Sequence, residues 1–153
     1  MRLVAAVAIL TGLLGSHAFG AAPTACGLIP AAEMSALLGS PVSAVADDRS
    51  GQTTCTYSTA GEELGAPYAE VELSWGDGAA GMAGAGIVQP QVGAVMGELA
   101  GLGDQAVYAG PMILIRRKDD LISIVVSGVP DGTGAAKRIY GLLDQRLPKA
   151  AAP

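Results

Sequence analysis

The chain has 153 residues, of which 50% are hydrophobic and 15% are charged, and its formal net charge at pH 7 is −5. Its longest basic run is Arg116, Arg117 and Lys118, and two aspartates follow this run directly. Nucleic acids and anionic membrane surfaces require clustered positive charge. The composition therefore argues against both as partners.

Residues 1–20 have the features of a signal peptide. A positively charged start is followed by an apolar run, Leu3–Leu14, and Ala18 and Gly20 occupy the −3 and −1 positions of a cleavage site before Ala21. As a helix, this apolar run would cover only about 18 Å, which is short of the roughly 30 Å hydrocarbon core. The pattern predicts cleavage and export rather than a retained membrane anchor.

Removal of this segment would change the chemistry available to the protein. His17 is the only histidine and lies within the signal peptide. A chain without imidazole cannot perform Ser-His-Asp or Cys-His catalysis and cannot form a His-based metal site. We therefore predict one non-enzymatic domain over residues 21–153, with a frayed tail at 148–153 and with no catalytic, metal or cofactor site. Its predicted location is periplasmic or secreted, without stable membrane insertion.

Cys26 and Cys55 are the only cysteines in the sequence. An even pair of cysteines in an oxidising compartment predicts a disulfide, and two free reactive thiols are the alternative. A cysteine soon after a signal peptide can also carry a lipid. Here Pro23 stands where a lipidation motif normally has an aliphatic residue, and the cysteine does not directly follow the apolar run. The unlipidated, disulfide-bonded form is the preferred interpretation.

The first predicted elements of the domain are a helix and two strands. Pro30–Leu38 is typical of a short helix, because proline suits the first turn and Gly39 suits the C-terminal cap. Strands are predicted over Pro41–Ala46 and Thr53–Thr59. The turn-forming residues Asp47–Gly51 separate these strands.

Ala69–Trp75 gives the clearest pattern in the chain. Its apolar residues alternate with Glu70, Glu72 and Ser74, which predicts a half-buried strand of an antiparallel sheet. The two glutamates would lie roughly 6.5–7 Å apart on one face, a spacing that could serve paired-carboxylate chemistry. A solvated strand face is the preferred interpretation. Trp75 continues the apolar face and is expected to pack in the core.

Residues 76–103 are rich in glycine and show little regular pattern. Gly76–Gly81 matches the G-x-G-x-x-G fingerprint of dinucleotide-binding proteins, with Glu98 about twenty residues later. The alternating strand before it differs from the buried first strand of such proteins. We therefore prefer a flexible loop here, allow a weak helix in the first part of the segment, and predict a strand near Gln91–Leu99.

The last third of the chain predicts a hairpin and a helix. Met112–Arg117 and Leu121–Ser127 are aliphatic runs joined by Lys118–Asp120, and Thr133–Leu147 is an amphipathic helix that Asp131 or Thr133 can cap. The apolar stripe of this helix contains Ile139, Leu142, Leu143 and Leu147. Together the elements predict an α+β fold, with a mostly antiparallel sheet of five or six strands and two helices on one face.

Four short motifs resemble an uncharacterised family of small bacterial envelope proteins, many of which are lipoproteins. The motifs are Cys26–Glu33, Leu37-Leu38-Gly39, Cys55-Thr56-Tyr57 and Leu102–Ala106. The resemblance spans most of the mature chain. It implies a bond between Cys26 and Cys55 and an α+β domain, and it carries no catalytic residues.

These observations favour an exported, disulfide-stabilised accessory protein that binds another envelope component through the open face of its sheet or through the glycine-rich segment. The first alternative is a periplasmic small-ligand-binding protein with a pocket between helix and sheet. A hydrolase that uses carboxylates alone is a third and less favoured hypothesis.

Overall fold

A seven-stranded antiparallel sheet forms the centre of the protein in the computed structural model, which describes residues 22–61, 63–92 and 96–149. The predicted signal peptide lies outside the described residues. The strands are β1 Ser43–Arg49, β2 Gln52–Ser58, β3 Tyr68–Ser74, β4 Met96–Glu98, β5 Gln105–Ala109, β6 Met112–Arg117 and β7 Asp120–Ser127. The helices are α1 Ala25–Leu28, α2 Ala31–Leu38, α3 Gly78–Val92 and α4 Gly132–Arg146.

The sheet consists of two meanders that meet at its centre. Its strand order is β1-β2-β3-β7-β6-β5-β4, so β3 of the first meander pairs with β7 of the second. Helix α3 connects the two meanders. Every strand pairing is antiparallel, which confirms the predicted fold class with a larger sheet than the predicted five or six strands.

Three strand predictions need correction. The strand predicted near Gln91–Leu99 is only β4, Met96–Glu98, because α3 continues to Val92. The region Asp47–Gly51 was predicted as a turn, but β1 continues to Arg49 and only Ser50 and Gly51 turn the chain. Charged residues are tolerated there because all seven residues of this edge strand are exposed. Strand β5 was not predicted, because Ala106 is its one buried residue and no clear alternation results.

One face of the sheet, here named the core face, is buried beneath α1, α2 and α4. Its side chains include Val71, Ile115 and Ile124, each with 0% exposure. From α4, Ile139 and Leu143 are fully buried against this face, whereas Leu142 is only partly buried. The predicted apolar stripe of the last helix is therefore confirmed as part of the core.

The two predicted helices begin and end as their sequences indicate. Pro30 immediately precedes α2, and Gly39 ends it in the left-handed conformation with φ of 72°. Asp131 caps α4 by accepting a hydrogen bond from the Gly134 N–H at 2.8 Å. None of the helices in the described residues is long and apolar enough to cross a membrane.

The prediction of two helices on one face is wrong, because the described part of the chain has four helices and α3 lies on the opposite face. Helix α3 packs against β6 and β7, where Gly81 contacts the Leu121 side chain. A Cβ at Gly78 would lie 2.8 Å from the Asp120 carbonyl oxygen. Glycine is needed at Gly78 because the helix backbone there lies directly on the backbone of Asp119 and Asp120. A helix was the weaker of the two interpretations of this glycine-rich segment, and it is the one that the structure shows.

The N-terminal segment is held to the core face by a disulfide and by hydrogen bonds. Cys26 on α1 is bonded to Cys55 on β2, with their Cα atoms 5.0 Å apart. The Ala25 N–H donates to the Thr53 hydroxyl at 2.9 Å, and the Tyr57 hydroxyl donates to the Ile29 carbonyl at 2.6 Å. The predicted disulfide is confirmed, and the alternative of two free thiols is wrong.

Candidate interaction surface

The face of the sheet opposite the core is covered unevenly. Helix α3 packs over β6 and β7, and within the described residues no helix packs on this face over β1, β2 and β3. We call the uncovered area the open face. Its side chains are Val45, Asp47 and Arg49 from β1, Thr54 and Thr56 from β2, and Tyr68, Glu70 and Glu72 from β3.

Strand register aligns these side chains in rows across the sheet. Thr56 lies opposite both Val45 and Glu70, and Thr54 lies opposite both Asp47 and Glu72. Directly opposite residues in an antiparallel pair have neighbouring side chains on one face. The open face therefore presents a hydroxyl beside a carboxylate in each of two adjacent rows.

Tyr68 and Glu70 form the best-defined polar contact on the open face. The Tyr68 hydroxyl donates to Glu70 Oε2 at 2.8 Å, and the Thr56 hydroxyl lies 3.5 Å from the same oxygen. Desolvation, reinforced by the Glu70 carboxylate, raises the pKa of Tyr68 to about 12. Tyr68 thus stays protonated and orients the carboxylate for a further donor from outside.

The open face carries negative charge. Asp47, Glu70 and Glu72 contribute three carboxylates, and Arg49 contributes one guanidinium. Arg49 Nη2 lies 2.6 Å from Asp47 Oδ2, and this hydrogen bond raises the pKa of Arg49. Arg49 also interacts with the charge of Glu72. Three carboxylates against one guanidinium leave an excess of negative charge, so the surface is complementary to basic groups.

Glu70 and Glu72 are on one strand face as predicted, and this face is the partly exposed open face. Both side chains are partly exposed on the open face, and neither contributes to the grooves described below. Glycoside hydrolysis by paired carboxylates requires the scissile bond to lie between them. The arrangement suits contact with a broad partner better than enclosure of a substrate.

The G-x-G-x-x-G segment has the strand-turn-helix context of a phosphate-binding loop but not its free backbone donors. The Gly76 N–H donates to Asp120 Oδ1 at 3.1 Å, and the Gly78 N–H donates to the Asp119 carbonyl at 2.7 Å. A pyrophosphate site requires such N–H groups to point at the ligand. The preferred flexible loop is also wrong, because helix α3 starts at Gly78.

A groove runs between α3 and the strands β4 and β5. It has a volume of about 240 Å³ and is open to solvent on one side. Its lining is Met82, Gly86, Met96, Gly97, Glu98, Gln105 and Val107. A second, similarly open crevice of about 260 Å³ lies between α2 and the start of α4. Enclosed small-molecule pockets typically measure about 300–1,000 Å³, so both grooves are small.

The cysteines are placed for stability rather than for chemistry. Cys55 has 0% exposure on the core face, and its partner Cys26 is partly buried. Trp75 follows β3 and packs partly buried against the core, as its position in the alternating run predicted. Neither the disulfide nor Trp75 lies on the open face.

Sequence reasoning identified part of the open face. The alternation in β3 placed Glu70 and Glu72 together on a solvated side. It missed Asp47 and Arg49, which were assigned to a turn, and it gave no role to Thr54. The signal for Thr54 was available in the sequence of β2, where Cys55 and Tyr57 alternate with Thr54, Thr56 and Ser58.

The comparisons with known proteins add no further constraint. No protein-family model matches the chain, and no match is found among curated proteins or solved structures.

Proposed function

We propose that this protein is an exported, non-enzymatic accessory protein of a bacterial envelope, and that its open face binds another envelope protein. The observation that supports the proposal most is the contrast between the sheet's two sides. The core face is anchored by three helices and a disulfide, while the open face is partly exposed and lined by hydroxyls and carboxylates. The disulfide fits an oxidising compartment, and the motif resemblance favours the same location.

The chemistry of the open face indicates the class of partner. The excess of carboxylates and the neighbouring threonine hydroxyls suit a protein surface that presents lysine, arginine or amide donors. Complementary charge of this kind speeds association and selects partners more than it adds affinity. Binding should accordingly weaken as ionic strength rises, because exposed charges are screened.

The proposal can be tested by cross-linked capture of the mature protein from an envelope extract. Glu72→Lys reverses a charge on the open face, and Glu63→Lys makes the same change in the exposed β2–β3 loop as a matched control. We expect the wild type and Glu63→Lys to capture the same protein and Glu72→Lys to lose it. Equal capture by all three variants would refute the open face as the binding surface.

A second candidate function is the transport of a small apolar ligand in the α3 groove. Met82, Met96 and Val107 favour this alternative, because methionine side chains adapt to apolar ligands of varied shape. Extraction of the exported protein followed by mass spectrometry of bound lipids and small molecules would test it. A stoichiometric ligand that Met82→Glu abolishes would favour transport over protein binding.

A further inference from the structure

Strand β1 forms a long edge of the sheet. It pairs only with β2 among the described residues, and all seven of its residues are exposed. Its register with β2 is continuous from Ser43 to Arg49 without a bulge. Edge strands that are long and regular can pair with another strand, and proteins commonly bend, shorten or charge them to prevent this. In β1, the charged residues are confined to its final three positions.

The hydrogen-bond pattern identifies which backbone groups of β1 point outward. The Trp75 N–H donates to the Gly51 carbonyl at 2.9 Å, so Gly51 and Trp75 form a hydrogen-bonded pair between β2 and β3. The next residue, Gln52, therefore directs its N–H and C=O toward β1. Hydrogen-bonded and non-hydrogen-bonded pairs alternate along an antiparallel ladder. Every second residue of β1 therefore points its N–H and C=O away from the sheet. These residues are Ala44, Ala46 and Asp48.

We propose that a second copy of this chain pairs with β1 in antiparallel orientation, about a two-fold axis that passes through Val45. In this register Ala44 and Ala46 exchange backbone hydrogen bonds with Ala46 and Ala44 of the second copy. Val45 then lies opposite Val45 of the second copy in a non-hydrogen-bonded pair, where side chains approach most closely. Its side chain is 62% exposed in the single chain and would be covered in the dimer.

The side chains of β1 suit a second copy in this register, because Val45 is then covered by Val45 of the second copy. A register centred on Ala46 would instead place Val45 opposite Asp47 of the second copy. Antiparallel pairing about Val45 places Asp47 opposite Ser43 of the second copy and Asp48 opposite Val42 of the second copy. A register centred on Asp47 would place like charges directly opposite each other, which is destabilising. A closed two-fold pair also covers the β1 edge of both copies, so association through β1 stops at the dimer.

The inference goes beyond the proposed function and does not depend on it. The open faces of the two copies would lie side by side on one continuous sheet. Because only a short strand pair is buried, we expect a weak dimer with a dissociation constant in about the micromolar range.

Sedimentation equilibrium of the mature, disulfide-bonded protein tests the dimer. We expect a concentration-dependent monomer–dimer equilibrium that Val45→Glu weakens at least about tenfold, because two carboxylates would then face each other. Leu64→Glu is the matched control, since Leu64 is exposed in the β2–β3 loop and lies outside β1. A monomer at every concentration up to about 1 mM, or equal weakening by both variants, would overturn the proposal.

Engineered cysteines test the register separately. Val45→Cys should form an intermolecular disulfide, because directly opposite non-hydrogen-bonded residues have Cα atoms about 4.5 Å apart, within disulfide range. Asp47→Cys should not, because its two copies would be about 13 Å apart along the strands. Peptide mapping must show that Cys26 and Cys55 remain bonded to each other. Cross-linking of Asp47→Cys with none of Val45→Cys would refute the register, and cross-linking of neither variant would refute the strand pairing.

Discussion

The two sides of the first meander contain the same three strands but have very different surroundings. On the core face, Tyr57 and Val71 have 0% exposure beneath the helices. On the open face, the neighbouring residues Thr56 and Glu70 contact each other and solvent. Because side chains alternate along a strand, one sequence can encode both a core and a binding surface without either compromising the other. Substitutions on the two sides should therefore have different effects.

The largest loss of stability should follow truncation of the core side of α4. Leu143 is fully buried, so Leu143→Ala should leave a cavity and lower the free energy of unfolding by about 2–5 kcal/mol. Leu142→Ala is the control on the same helix, and its cost should be smaller because Leu142 is only partly buried. Urea unfolding of both variants provides the measurement, and equal losses would contradict the assigned orientation of the helix.

Removal of the disulfide should also weaken the core side. The bond closes a loop with a sequence separation of 29. In the chain-entropy account, the double variant Cys26→Ala with Cys55→Ala should lose about 3–4 kcal/mol. Thermal unfolding should detect this loss, and reduction of the wild type should lower its stability similarly. A double variant as stable as the oxidised wild type would mean that the hydrogen bonds of α1 alone fix the N-terminal segment.

The burial of Tyr57 predicts a loss of stability in alkali. Desolvation raises the pKa of this phenol to about 12, above its ordinary value of 10. Between these values the folded protein retains a proton that the unfolded chain has lost, so the stabilisation is complete below pH 10 and declines as pH rises toward 12. Tyr57→Phe should make this decline shallower. Urea unfolding at several pH values between 9 and 11 tests this, and an unchanged slope would argue against the buried phenol as a cause.

Open-face substitutions should have the smallest effect on stability. Glu72→Gln and Thr54→Val remove polar groups that are partly exposed, and surface changes of this kind usually alter stability by within about 0.5 kcal/mol. Both variants should nevertheless reduce partner capture. A loss of several kcal/mol in either variant would indicate that the open face serves folding rather than binding.

The sequence predicted elements whose signals are local. The alternation of Ala69–Trp75 and the stripe of Ile139 and Leu143 each reflect one buried side, and the structure confirms both elements. The sequence pattern gave a wrong prediction where tertiary contacts decide the structure. Helix α3 needs glycine at Gly78 to approach the sheet, and the glycine-rich sequence by itself indicates a helix only weakly.

The candidate site was harder to predict than the fold, because its residues come from three strands. Glu70 and Glu72 were recognisable as a pair within one strand. Their neighbours Thr54 and Asp47 join them only through the register of β1, β2 and β3. Which face α3 would cover also had no signal in local periodicity. Only the structure therefore shows which part of the sheet α3 covers and which part forms the open face.

The most direct test of the open face as a binding surface is site-specific photocross-linking in the producing cells. A benzophenone amino acid at Thr54 would report contacts on the open face, and the same residue at the exposed Lys137 of α4 would report contacts on the opposite side of the protein. We expect a discrete cross-linked species of higher mass from position 54 and none from position 137. Equal adducts from both positions, or an adduct from position 137 alone, would contradict the account.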